Sequence, residues 1–87
     1  MTETVEMSVY PNPIFSEATI CFNIENNAEV SYQVYDLSGR MVMNETLGNY
    51  TQGSHTATFN ANRLTAGTYI IKVQAGAVSN TSKIIVY

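Results

Sequence analysis

The sequence predicts an all-β fold, an antiparallel β-sandwich of about seven strands. Three observations predict it. Short segments rich in Val, Ile, Tyr, Phe and Thr recur along the whole chain, and such residues suit a pleated, half-buried surface. Turn signals built on Gly, Pro, Asn and Asp separate them at intervals of roughly 8–12 residues. No segment longer than a few residues has helical periodicity, which argues against a parallel sheet with crossover helices. The clearest element is the last: residues 68–74 and 82–87 read as strands about the turn Ala75-Gly76-Ala77.

The earlier strands follow in order. Val5, Met7 and Val9 alternate with Glu6, Ser8 and Tyr10, so a first strand turns its apolar trio inward. Pro11-Asn12-Pro13 stops it, because proline fixes φ and removes a backbone donor. Ile14 and Phe15 read as an apolar plug on the loop that follows, and Ser16-Glu17 continue that loop. Residues 18–24 form a second strand, with Ile20, Phe22 and Ile24 on one face and Thr19, Cys21 and Asn23 on the other. Residues 25–29 turn the chain. Residues 30–35 form a third strand, with Val30, Tyr32 and Val34 on one face. Asp36-Leu37-Ser38-Gly39-Arg40 is the next turn, since Asp bonds its own backbone two residues on and Gly supplies positive φ. Residues 41–47 make a weaker fourth strand. Residues 48–54 read as loop, and residues 55–59 as a fifth strand with His55, Ala57 and Phe59 in register. Leu64 is placed to plug the sandwich from the next loop.

Composition narrows the function. A chain of 87 residues makes one domain with a thin core. The 45% hydrophobic fraction suffices for that core, and the 13% charged fraction is low for a soluble domain. Net charge is −3, and the four strong bases, Arg40, Arg63, Lys72 and Lys83, are scattered. Nucleic-acid binding needs a basic stripe, and none exists. No run approaches the ~18–20 apolar residues of a membrane helix, so direct membrane insertion is not expected. Cys21 is the only cysteine, which rules out an internal disulfide. Residues 1–4 read as an N-terminal tail or an expression start, and 5–87 as the domain. The acidic opening Met1 to Glu6 lacks the apolar segment of a signal peptide.

Reactive chemistry is sparse. His55 is the only histidine, so with Cys21 alone no metal site forms. A Cys21–His55 nucleophile and base is conceivable, but nothing in the sequence brings the two together. No catalytic, cofactor or metal residue is assigned. Asn26, Asn27 and Glu29 offer oxygens to calcium without the spacing of a known loop. Asn44-Glu45-Thr46, Asn49-Tyr50-Thr51 and Asn80-Thr81-Ser82 are formal glycosylation sequons. Tyr10, Tyr35 and Tyr50 could line a sugar-binding platform, though tyrosine is also an ordinary sheet residue.

Four motifs stand in order. Val9-Tyr10-Pro11-Asn12-Pro13 comes first, then Val34-Tyr35-Asp36-Leu37-Ser38-Gly39-Arg40. Leu64-Thr65-Ala66-Gly67-Thr68-Tyr69 is third, and Lys83-Ile84-Ile85-Val86 lies at the end. Together they resemble the type A C-terminal sorting domain of the type IX (Por) secretion system of the Bacteroidetes, over essentially the whole chain. The resemblance implies a seven-stranded immunoglobulin-like sandwich at the C-terminus of a secreted cargo. It implies an address label rather than an enzyme, read by the outer-membrane translocon from the periplasm. A sortase-like surface protease then removes the label from its N-terminally attached cargo, upstream of Val5. Pro11, Asn12 and Pro13 match the first motif, Gly39 the second, Gly67 and Tyr69 the third, and Lys83 the basic residue opening the last strand. Many members carry a further Lys or Arg near their terminus; this chain ends Val86-Tyr87 without one.

Recognition without a reactive group points to shape and backbone, and an edge strand suits β-augmentation by a partner. Lys83 then either contacts the translocon or guards an edge. A homodimer by exchange of the terminal strand is a further expectation, since swapping an identical element is a low-cost route to dimers. The rival reading is an immunoglobulin- or fibronectin-like accessory module that binds carbohydrate or spaces domains.

Overall fold

The computed structural model describes residues 5–87, and the expected tail at 1–4 lies outside the described residues. Seven strands follow one another: β1 Val5–Tyr10, β2 Glu17–Ile24, β3 Ala28–Asp36, β4 Met41–Tyr50, β5 Gly53–Asn60, β6 Gly67–Ala75 and β7 Val78–Val86. They form a three-stranded sheet in the order β1-β2-β5 and a four-stranded sheet in the order β4-β3-β6-β7. Every named strand pairing is antiparallel. In constant-type immunoglobulin domains the fourth strand sits with the first, second and fifth. Here β4 pairs with β3 instead.

The core follows from alternation. Ala18, Ile20, Phe22 and Ile24 of β2 face Val30, Tyr32 and Val34 of β3 and Tyr69, Ile71, Val73 and Ala75 of β6 across the sandwich, and all are buried. Val5 from β1, Phe59 from β5, Ala61, and Ile84 and Val86 from β7 join it. Ile14 has no exposed surface, so it is the plug the sequence predicts; Phe15 beside it is 68% exposed and is not. Leu64 is half-buried and packs against the core.

Several boundaries differ from the sequence reading. β2 begins at Glu17. β4 runs to Tyr50, and β5 starts at Gly53, so only residues 51–52 connect them. Gly48 does not end its strand. It has φ 110° and pairs with Val30 where the β3–β4 register shifts, so it marks a β-bulge. β7 begins at Val78 rather than at residue 82, and its polar start Ser79-Asn80-Thr81 pairs with β6.

One side of the sandwich is closed by side chains. Asn80 Nδ2 on β7 donates to the Val5 carbonyl on β1 at 3.0 Å, and its Oδ1 accepts the Thr81 N–H at 2.8 Å. The opposite side, between β4 and β5, holds a recess of about 400 Å³ around Tyr32, Met43, Glu45 and Arg63.

Candidate functional site

The strand registers bring all four motifs to one end of the sandwich. Pro11-Asn12-Pro13 follows the end of β1, and Asp36 ends β3 opposite Tyr69. Gly67 opens β6 opposite Val86 near the end of β7. Val5 pairs with Ile24 at the other end. Residues far apart in sequence therefore share one pole, and the chain enters the domain from the opposite one.

The first and last motifs are bonded directly. Asn12 Nδ2 donates to the Lys83 carbonyl at 3.2 Å, and Asn12 Oδ1 accepts the Ile85 N–H at 3.0 Å. Ile14 continues the contact: its N–H donates to Ile85 O at 2.7 Å, and its carbonyl accepts the Tyr87 N–H at 2.8 Å. A carboxamide offers a donor and an acceptor side by side, as a peptide group does. Asn12 thus stands in for one residue of a neighbouring strand and hands over to Ile14, which forms an isolated parallel bridge with Val86. Both prolyl bonds, Tyr10-Pro11 and Asn12-Pro13, are cis. The β7 edge beside Lys83 is thus already occupied by the chain itself, and augmentation by a partner strand there is disfavoured. The Lys83 side chain is exposed.

The second motif is a self-bonded turn. Asp36 Oδ1 accepts the Ser38 N–H at 3.0 Å, the Ser38 hydroxyl at 2.6 Å and the Arg40 N–H at 3.0 Å. Arg40 Nε reaches Asp36 Oδ2 at 3.2 Å. The Ser38 hydroxyl, then the Arg40 N–H, hold the Asp36 carboxyl below its ordinary range, since each favours the charged form. Gly39 has φ 90°, a conformation that a side chain would strain. The turn exposes Leu37, at 71%.

The third motif is a corner. Tyr69 is buried near the start of β6, and its hydroxyl donates to Thr65 O at 2.7 Å. Immunoglobulin-type sandwiches use such a tyrosine on their sixth strand to bond backbone a few residues upstream. Gly67 lies close to extended geometry, with Tyr69 Cε2 at 4.0 Å from where its Cβ would sit.

The other candidates disperse. Cys21 faces outward, opposite Thr56, with its sulfur 3.5 Å from the Tyr10 hydroxyl. His55 faces inward, its ring tilted against Phe22 at 5.7 Å and edge to face with Tyr50 at 4.9 Å, so cysteine and histidine lie on opposite faces of their sheet. The three candidate platform tyrosines also separate. Tyr10 is on the outer face of the three-stranded sheet, Tyr35 on that of the four-stranded sheet, and Tyr50 packs at an edge against Phe22. Asn27 Oδ1 accepts the Gln52 N–H at 2.8 Å. Among the described residues no cluster of three His, Cys, Asp or Glu side chains could hold a metal.

Residues 8–87 match the family model described as the secretion system C-terminal sorting domain. The chain belongs to this family. It is a type IX sorting domain, a secretion signal rather than a catalyst. Sorting domains are carried by secreted proteins, recognised by the secretion machinery and attached to cargo. No curated protein matches the chain. Among solved structures it is similar to the CARDB domain of a Pyrococcus furiosus protein, crystallised in complex with di-metal ions. The match has 17% identity and a TM-score of 0.58, covering 99% of this chain and 88% of that one. At that identity the likeness concerns the sandwich alone.

One feature of the site is not legible in the motifs. The large hydrophobics exposed among the described residues are Tyr10, Phe15, Leu37, Met41 and Tyr87. All five lie at the motif-bearing pole, at the ends of β1, β3 and β7, the start of β4 and the adjoining loop. Phe15 and Tyr87 meet edge to face at 5.4 Å. The sequence signal was available in Phe15, Leu37 and Tyr87, apolar residues at positions that do not continue a buried face.

Proposed function

We propose that this chain is a sorting domain of type A, and that the outer-membrane translocon reads the folded domain at its motif-bearing pole. The observation that carries this is that the large exposed hydrophobics among the described residues gather at that pole, on and beside turns that are bonded from within. An exposed apolar cluster marks an interaction surface. The residues matched to the family's motifs then divide by role. Pro11, Asn12 and Pro13 seat β7, Gly39 and Asp36 shape the turn that presents Leu37, and Tyr69 with Gly67 fixes the entry to β6. Lys83 offers the exposed charge beside them. The domain spans residues 5–87, with the cargo upstream. A sortase-like protease would cut in that upstream linker, at the pole opposite the one being read, so that reading and cutting do not compete for space. The route runs from the periplasm to the cell surface.

Exchange of β7 between two copies would break the Asn12 and Ile14 bonds as well as the β6 ladder, so this reading gives exchange no part in recognition. To test the site, the domain is fused behind a fluorescent protein with an export signal, in a host with the type IX machinery. Leu37→Asp and Phe15→Ser, both at exposed positions, should leave melting unchanged and hold the fusion in the periplasm. Secretion of both variants at the wild-type level would move the recognition surface elsewhere.

A further inference from the structure

A two-sheet sandwich has four edge strands, here β1, β5, β4 and β7. Exposed edges invite pairing with another chain, and soluble proteins blunt them with prolines, bulges, inward charges or covering segments. Three of the four edges carry such a device. Along β7, Asn80 takes the Thr81 N–H, Asn12 takes the Lys83 carbonyl and the Ile85 N–H, and Ile14 takes the Ile85 carbonyl and the N–H of Tyr87 just past the strand. β1 is bonded by Asn80 at Val5 and runs into Pro11-Asn12-Pro13. β4 has two register shifts against β3, and Glu45 sits opposite the inward-facing Tyr32, so a charge faces inward on that edge. Burial and the Glu45 carboxylate both raise the Tyr32 hydroxyl pKa.

β5 has none of these. Gly53–Asn60 reads GSHTATFN, without Asp, Glu, Lys, Arg or Pro, and pairs with β2 over its whole length with no register shift. Ala61 N–H donates to Ser16 O on the β2 side. Alternation therefore turns the backbone groups of Ser54, Thr56, Thr58 and Asn60 outward, away from β2. Those four residues are also exposed. An edge with free N–H and C=O groups is completed by an extended strand.

We propose that β5 is a homodimer interface, in which two copies pair β5 to β5 antiparallel about a two-fold axis. The occupant follows from the strand's own order. Read antiparallel against itself about Thr56, it places Thr56 across Thr56, Ser54 across Thr58, His55 across Ala57 and Gly53 across Phe59. Hydroxyl residues meet hydroxyl residues, and no like charges oppose. Such a contact is isologous and closes at two copies. It joins the three-stranded sheets into one sheet of six strands and leaves β1, where cargo enters, at the outer rims. The motif-bearing pole of each copy stays uncovered, so the inference stands apart from the sorting reading.

Sedimentation of the purified 87-residue chain tests it. The expected result is a reversible monomer–dimer equilibrium that Thr56→Lys weakens by roughly five-fold or more, because the two lysines then face each other. Thr81→Lys, on the covered β7 edge, should leave it unchanged. Thr56→Cys in a Cys21→Ser background should give a disulfide-linked dimer under mild oxidation. If Thr56→Lys does not fold by circular dichroism, Thr58→Lys replaces it and carries the same expectation. A chain that stays monomeric at millimolar concentration, or a dimer that tolerates the lysine on β5, would overturn the proposal. So would a dimer lost through changes in β7.

Discussion

Asn12 shows how one side chain can set the end of a sandwich. Its amide bonds both Lys83 O and the Ile85 N–H, so loss of either half leaves a backbone group without its partner. Asn12→Ala should lower unfolding free energy by about 1–3 kcal/mol. Asn12→Asp should be no better, because it keeps the acceptor for Ile85 but sets a carboxylate against the Lys83 carbonyl; urea unfolding of the two variants checks both. Asp36 makes a different prediction. Its carboxyl is held below the ordinary 3.8 by Ser38 and Arg40, so the charged form is the one the fold favours. The contribution is therefore fully present above about pH 4 and is lost as pH falls through the depressed value. Melting temperature measured from pH 6 to pH 2, on the order of one-unit steps, should drop less steeply for Asp36→Asn, which starts lower. Tyr69→Phe removes the bond to Thr65 O while keeping the ring, and should cost about 1 kcal/mol in the same unfolding measurement.

At the scale of elements, β7 carries more than its sequence shows. Ile84 and Val86 are buried on its inner face, while Asn12 and Ile14 occupy its outer edge. Ile84→Ala should destabilise by about 2–5 kcal/mol, a large share of what so short a domain has to lose. Thermal melts of that variant against Ile85→Ala, whose side chain is on the outer face, would separate core from surface. The strand inventory was legible because alternation of apolar residues is strong in β1, β2 and β3. The start of β7 was not, because Ser79-Asn80-Thr81 reads as turn chemistry. At the seam between sheets an inward position need not be apolar, and Asn80 uses it to reach β1. Gly48 misled for a similar reason: a glycine that normally punctuates a strand here sits in its bulge. The cover on the β7 edge was hidden because the bond between Asn12 and Lys83 spans 71 positions.

For the whole molecule, the order of the motifs in the sequence conceals their proximity. They are spread from Val9 to Val86, yet antiparallel pairing returns each to the same pole. Proline, glycine and tyrosine in these motifs mostly build that pole from inside. The exposed Leu37, within the second motif, and Phe15 and Tyr87, outside all four, are its outer surface. Val5 and the motif-bearing pole lie at opposite ends of the strands in a molecule 37 Å in its longest dimension, so on the proposed reading a passenger joined upstream of Val5 leaves the signal uncovered. The rival picture of a carbohydrate-binding module loses its platform, because Tyr10, Tyr35 and Tyr50 lie on different faces. The most direct measurement is localisation of the fluorescent fusion in hosts with and without the type IX machinery. The account predicts that the intact fusion leaves the periplasm only when the machinery is present, and that the passenger lacking this domain stays behind. A folded, stable fusion that remains in the periplasm of the competent host would contradict it.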